Sequence, residues 1–291
     1  MNSEKVIGFI GIGVMGKSMA NNILKAGYKV VVYTRTKAKA DELITNGALW
    51  CDSVKELAHK ADVVISMVGY PQDVEEIYLG KDGVIQNLKP QSMIIDMTTS
   101  SPKLAGKIYE EAKKYNIKAL DAPVSGGDVG AKNATLAIMV GGDKEVYEKA
   151  LSLFEIMGKT ICYFGKAGSG QYAKMSNQIA IASNMMGVCE AIAYAKKSGL
   201  NPDDVLKVIS TGAAGSWSLS NLAPRMLQGD FAPGFFIKHF IKDMKIAIDS
   251  ANEMGLDLPG LKLAKSLYEK LAKEGYENNG TQALLKYYDA K

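Results

Sequence analysis

Six residues near the start of the chain constrain its fold more than any other stretch. Gly11-Ile12-Gly13-Val14-Met15-Gly16 is a G-x-G-x-x-G. The residues before it, VIGFIG from Val6 to Gly11, are apolar and read as a buried strand. A helical pattern follows to about Ala26 and closes at Gly27, a residue suited to the left-handed C-cap position. KVVVY, from Lys29 to Tyr33, then reads as a second strand. Strand, glycine turn, helix and strand in that order form the first unit of a dinucleotide-binding sheet. Each glycine has its own reason. Gly11 permits the tight turn, Gly13 lets the main chain approach a pyrophosphate, and Gly16 lets the helix pack closely on the strand. Phosphates would rest on the helix N-terminus, where N–H groups and the dipole favour negative charge.

The end of the second strand bears on which dinucleotide binds. A site for NAD usually carries an acid there, to accept from the ribose 2′-hydroxyl. This chain has Tyr33-Thr34-Arg35-Thr36 and no acid. The planar fork of Arg35 matches a 2′-phosphate, and Thr34 and Thr36 offer hydroxyls. The expected cofactor is therefore NADP, with NAD as the alternative.

The α/β alternation continues. Ser53-Val54-Lys55-Glu56 reads as a capping box. Strands are expected at Asp62–Val68, Ser92–Asp96, Lys118–Val124, Leu136–Val140 and Thr160–Phe164, with helices from Pro102 to Tyr115 and from Asp143 to Met157. Such a doubly wound sheet binds ligands at the C-terminal ends of its strands. Val68 closes one strand, while Thr99 and Ser125 fall just beyond others. Ser125-Gly126-Gly127 has the makings of an anion nest, in which successive main-chain N–H groups and a serine hydroxyl surround a carboxylate. A plain tight turn is the equal alternative for that tripeptide.

From Gly165 to Lys197 the chain opens with loop-forming residues and then runs helically without a proline. Past Gln178 it is apolar on nearly every side, as in a helix buried between other elements. Its first turns nevertheless carry Lys174, Asn177 and Gln178, which share one face with Ile181, Met185 and Val188. The remainder reads as helical: Asn201-Pro202 starts a helix, Gly212–Trp217 is a flexible link, and further helices run from Ile237 to Met254, Pro259 to Glu274 and Thr281 to Tyr288. The expected architecture is thus an N-terminal Rossmann domain over residues 1–164 and an all-α domain over 165–291, joined by a long interdomain helix.

Composition narrows the function classes. The net charge of +4 comes from scattered lysines, which suits small anions better than nucleic acid. Three cysteines without metal spacing and two histidines make a metal site unexpected. No apolar run has the length of a bilayer span, and the N-terminus lacks a secretory h-region. The expectation is a cytoplasmic protein acting on a small anionic substrate, without membrane or nucleic-acid partners. Its largely apolar helical half suggests a homo-oligomer.

Hydride exchange between a nicotinamide and an alcohol carbon needs a group that exchanges the oxygen's proton. No histidine is well placed, and His239 beside Phe240 reads as packing. Lys174 is the candidate, because burial draws a lysine's pKa toward the working pH. Asn177 and Gln178 would orient it or bond substrate oxygens. Lys242-Asp243, by spacing alone, reads as a surface ion pair, and Asp243 is a candidate partner for Lys174.

Three segments resemble the β-hydroxyacid dehydrogenase family, and the resemblance spans essentially the whole chain. GFIGIGVMGKSMANNILKAG is similar to its nucleotide fingerprint, DAPVSGGDVGAKNATLAIMVGG to its substrate signature, and GKAGSGQYAKMSNQ to its catalytic segment. The resemblance implies that Ser125, Gly126 and Gly127 hold a substrate carboxylate and that Lys174 is the general acid/base. It also implies that Thr99 and Lys242 contact the cofactor and that Phe235 and Asp243 lie near the substrate, against the surface reading of Lys242-Asp243. Asn177-Gln178 replaces the family's common Asn-Asn pair, as in its tartronate semialdehyde reductases. Rival readings are an imine or sulfonated-aldehyde reductase of the same superfamily and a dinucleotide-sensing module without turnover.

Overall fold

The computed structural model describes residues 4–290. The chain forms two compact units, one ending at Lys174 and the other beginning at Met175.

The first unit is built on a nine-stranded sheet. Its strands are β1 (Val6–Ile10), β2 (Lys29–Tyr33), β3 (Leu49–Trp50), β4 (Val63–Ser66), β5 (Met93–Asp96), β6 (Lys118–Asp121), β7 (Val124–Ser125), β8 (Leu136–Gly142) and β9 (Gly158–Gly165). The spatial order is β3-β2-β1-β4-β5-β6-β8-β7, with β9 paired to β8. Pairing is parallel from β3 across to β6; β8 then runs antiparallel to β6 and β7. The chain winds outward through β2 and β3 on one side of β1 and through β4, β5 and β6 on the other. The glycine turn after β1 therefore sits at the topological switch point, where doubly wound sheets bind their ligands.

Both sheet faces are covered, as a parallel sheet requires. Alternation along β1 sends Ile7 and Phe9 into one apolar cluster with Met19, Ile23 and Phe154, and Ile10 into another with Leu57, Val64 and Tyr78.

Local signals place several elements as expected. Ser53 Oγ accepts from Glu56 N, although the Glu56 carboxylate accepts from Asp52 N rather than closing the box on Ser53. Ser101 caps a helix with proline at its first position, Pro102–Lys114. The helices Asp41–Thr45, Pro71–Leu79, Val84–Asn87 and Gly127–Lys132 and the two-residue strand β3 lie outside the expected elements, and the single strand expected over Lys118–Val124 is divided into β6 and β7. They are short, and tertiary contacts rather than periodicity select them.

A continuous helix, Ser169–Lys197, starts in the first unit and runs into the second. It differs from the fully buried helix that its composition suggests. Gln171, Lys174, Gln178, Ala182, Met185, Cys189 and Ile192 are buried, while Tyr172, Ser176, Ala180, Ser183, Gly187 and Tyr194 on the opposite side are exposed. Its amphipathicity is one of position rather than of residue type.

The second unit is helical. The Ile237–Glu253 and Pro259–Leu271 helices pack through Phe240, Met244, Ala264, Tyr268 and Leu271, with Phe240 and Tyr268 edge to face at 5.2 Å between ring centroids. Residues 212–216 carry no helix or strand, and the helices lie beyond them. Ser216 Oγ accepts from Leu219 N and caps a helix at Trp217–Asn221, followed by another at Ala223–Leu227. No helix of the described residues is long and apolar enough to cross a membrane.

Candidate active site

The glycine turn is held by main-chain proximity. Gly11 has φ of +97°, in the region that favours glycine, and its N–H donates to the Tyr33 carbonyl. A Cβ on Gly16 would lie 2.0 Å from the Gly11 carbonyl oxygen. A Cβ on Gly13, by contrast, would meet nothing within 4 Å. The Val14–Lys25 helix begins at Gly13 without a side-chain cap, so no side chain competes for its first N–H groups. Ile12 is buried beneath the turn, Val14 is exposed on it and Met15 is half-buried. Open space over Gly13 next to an uncapped helix start fits a pyrophosphate.

Thr34, Arg35 and Thr36 follow β2 at the same edge of the sheet. Arg35 is largely exposed, and its Nη1 lies 3.1 Å from Asp73 Oδ1. Asp73 Oδ2 also accepts from Tyr70 N at the start of the Pro71–Leu79 helix. Val68 lies two residues beyond the end of β4, shorter than the strand read from the sequence. It sits against the turn, where a Cβ on Gly11 would come within 2.8 Å of its Cγ1.

A chain of buried polar groups runs beneath the ends of β4, β5 and β6. Tyr78 Oη and Ser66 Oγ are 2.7 Å apart, and Ser66 Oγ donates to Asp96 Oδ1, which also accepts from Thr98 N. Thr98 Oγ1 accepts from Val68 N. Burial is the main cause that lifts the Asp96 carboxyl to about 6, partly offset by these donors. Asp121, opposite Asp96 in the β5–β6 register, is raised by burial too. Its carboxylate caps the long helix, accepting from Gly168 N at 2.7 Å and Gln171 N at 2.9 Å. A carboxylate suits a helix N-terminus. Close approach explains Gly170, where a Cβ would lie 2.3 Å from the Met139 carbonyl oxygen.

Lys174 is buried one turn further along the same helix. Thr99, half-buried, lies in the loop after β5. Ser125 ends β7, and Gly126 and Gly127 both have positive φ, 131° and 63°. The tripeptide is thus a turn that glycine alone adopts readily, with Gly126 exposed.

In the second unit, Asn177 Nδ2 donates to Gln178 Oε1, and Gln178 Nε2 donates to Asp243 Oδ2 at 2.6 Å. Lys242 Nζ lies 2.9 Å from Asp243 Oδ1, and both side chains are nearly buried, at 11% and 2% exposed. The surface ion pair suggested by spacing is therefore an interior one. An unpaired charge in that position would be costly, which accounts for two residues turning toward one carboxylate. Phe235 packs beside Phe240 at 5.5 Å. His239 lies edge-on to Phe236 at 5.9 Å, in keeping with a packing role.

Two family models cover nearly the whole chain. The NAD-binding domain of 6-phosphogluconate dehydrogenase matches residues 6–165, and the NAD-binding domain of NADP-dependent 3-hydroxyisobutyrate dehydrogenase matches residues 168–288. An uncharacterized oxidoreductase of Bacillus subtilis, YkwC, is 63% identical over 98% of this chain and 99% of its own. The 2-hydroxy-3-oxopropionate reductase of Escherichia coli is 37% identical over 92% of each chain. A solved structure of Mycobacterium tuberculosis 3-hydroxyisobutyrate dehydrogenase with L-serine superposes with a TM-score of 0.89 at 31% identity, over 97% of this chain and 98% of that one.

The chain belongs to the β-hydroxyacid dehydrogenase family. It is an NAD(P)-dependent oxidoreductase of the 3-hydroxyisobutyrate dehydrogenase type. As a β-hydroxyacid dehydrogenase it shows supporting residues that a motif reading passes over: Asp73 against Arg35, Asp96 and Asp121 under the strand ends, and Gln171 in the first turn of the long helix. A signal for two of them was available. Asp96 and Asp121 are acids within apolar strand runs, SMIID and KALDAPV. Buried acids need hydrogen-bond partners. Nothing local pointed to Asp73 or Gln171.

Proposed function

We propose that this β-hydroxyacid dehydrogenase uses NADP(H) to interconvert a hydroxyl and an aldehyde on a short carboxylate, at the β or a nearby carbon. Residues 1–164 serve as the nucleotide-binding domain and 165–291 as the substrate and assembly domain, in the cytoplasm, with no nucleic-acid or membrane partner. The observation that carries the reading is a buried lysine, Lys174, in the first turns of the long helix.

When bound, the nicotinamide supplies or accepts the hydride. Lys174 gives the carbonyl oxygen its proton during reduction and takes it back during oxidation. Its amine is the one basic group in that turn, and it lies buried rather than in solvent, where it can exchange a proton with a bound oxygen. Ser125 and the N–H groups of Gly126 and Gly127 hold the carboxylate. Asn177 orients the lysine, Gln178 bonds a substrate oxygen, and Phe235 and Asp243 border the substrate. The cofactor is met by Gly11, Ile12, Gly13, Val14, Met15 and Gly16, by Val68, Thr99 and Lys242, and at the 2′-phosphate by Thr34, Arg35 and Thr36. The E. coli relative named for 2-hydroxy-3-oxopropionate supports a substrate of that size and charge. The exposed side of the long helix, with Tyr172 and Tyr194 at 44% and 75% exposure, supports a homo-oligomer.

Oxidation of NADPH and of NADH would be followed side by side with glyoxylate, succinic semialdehyde, tartronate semialdehyde and methylmalonate semialdehyde. Turnover of at least one with NADPH, faster than with NADH, is expected. Lys174→Ala should bind NADPH normally and turn over about 100-fold or more slowly, the scale for losing a general acid. An unchanged kcat refutes the role.

A further inference from the structure

Gln171 is fully buried in the first turn of the long helix, and its main-chain N and both side-chain amide heteroatoms have partners. Its N–H donates to Asp121 Oδ2, its side-chain Nε2 donates to the Thr98 carbonyl at 2.8 Å, and its Oε1 accepts from Ser100 N at 2.9 Å. The amide thus straddles Thr99, clamping the main chain on either side of it. Gln171 also lies three residues before Lys174, one helical turn away. Behind the clamped loop, Thr98 is held from the other side by Asp96 and Val68. One side chain therefore ties the turn that bears the lysine to the loop that follows β5.

We infer that Gln171 is a positioning residue for hydride transfer: its amide fixes the Thr98–Ser100 loop in register with Lys174, and it acts on the rate only through that lysine. The inference rests on the proton-donor reading of Lys174 proposed above. Rate is sensitive to such registration, because a displacement of about 1 Å of a reacting group costs roughly 100-fold. A glutamine is suited to the task because it donates and accepts in opposite directions from one planar group. A carboxylate does so only when protonated.

The test is a double-mutant cycle with NADPH and the aldehyde acid that wild type turns over best. Gln171→Met keeps the side-chain length but breaks both amide bonds. It should lower kcat about 10- to 100-fold, with KM for the aldehyde acid within about 3-fold. In a Lys174→Ala background the same change should cost less than about 2-fold. Gln171→Glu supplies a gentler variant and a pH signature. Burial raises the pKa of the introduced acid, and its protonated form reproduces both hydrogen bonds. The ratio of its kcat to that of wild type should therefore approach one at low pH and fall as pH rises. Equal losses from Gln171→Met with and without Lys174 would mark a purely structural role and overturn the inference. So would a kcat for Gln171→Glu that parallels wild type at every pH. Wild-type turnover by Lys174→Ala would instead overturn the proton-donor reading, and this inference with it.

Discussion

The glycine turn after β1 and the Tyr33–Thr36 segment after β2 lie in the same unit, yet they are held by different forces. The turn is fixed by main-chain contact: Gly16 has room for no Cβ beside the Gly11 carbonyl, and Gly11 none beside the Met67 carbonyl. Arg35 stands in solvent with one ion pair to Asp73. The contrast teaches that a pyrophosphate cradle is inseparable from the fold that forms it. On the function proposed above, the choice between a 2′-hydroxyl and a 2′-phosphate would rest on surface side chains such as Arg35, which change without disturbing a core.

The hardest test of that contrast is Gly16→Ala. Overpacking costs about 1–3 kcal/mol where side chains can give way. Here the obstacle is main chain, so the loss should reach about 3 kcal/mol or more, with NADPH binding abolished. Thermal unfolding and a fluorescence titration would read both, and a variant that unfolds with wild type and binds NADPH would break the comparison.

Between the two extremes stands a buried side chain, Asp96. Its carboxyl is raised from 3.8 to about 6, chiefly by burial. Between those two pH values the folded chain keeps a proton that the unfolded chain has released. Stability from this group is therefore full below about pH 4 and is lost as pH rises through about 6. The size is on the order of 3 kcal/mol, from about 1.4 kcal/mol for each pKa unit. Asp96→Asn mimics the protonated state, and its stability relative to wild type should rise between pH 4 and 7. A difference that stays flat over that range would show that Asp96 does not titrate there.

At the exposed end, Arg35→Ala should raise KM for NADPH roughly 10- to 100-fold, the scale of a hydrogen bond to a charged group, and leave NADH unchanged. Its melting temperature should not move. Equal losses with both dinucleotides would show that Arg35 does not read the 2′ position. Smaller still is Asp73→Asn, since exposed ion pairs contribute little. NADPH affinity should shift by less than about 5-fold, and a larger shift would make Asp73 a determinant of cofactor choice in its own right.

Much of this was legible in one dimension. The strand–glycine–helix–strand order, the caps at Ser53, Ser101 and Asn201, and the misfit of Lys174 among apolar residues are local facts, and the structure holds each where the sequence put it. The short helices at Trp217–Asn221 and Ala223–Leu227 were not legible, because elements of five residues carry too little periodicity to stand out. The interior position of Lys242 and Asp243 was hidden for another reason. Adjacent charges on a helix look the same in sequence whether they face water or a core.

The amino-acid order by itself determined the winding of the sheet, the glycine turn at its switch point and the helix that carries Lys174. These follow from backbone sterics and from the period of apolar residues, which act between near neighbours. Tertiary structure alone decided that Arg35 meets Asp73 across 38 residues, that Asp121 caps Gln171 across 50, and that Gln178 meets Asp243 across 65. A polar group removed from water takes whichever partner folding brings within reach, and that choice leaves no mark on the local sequence.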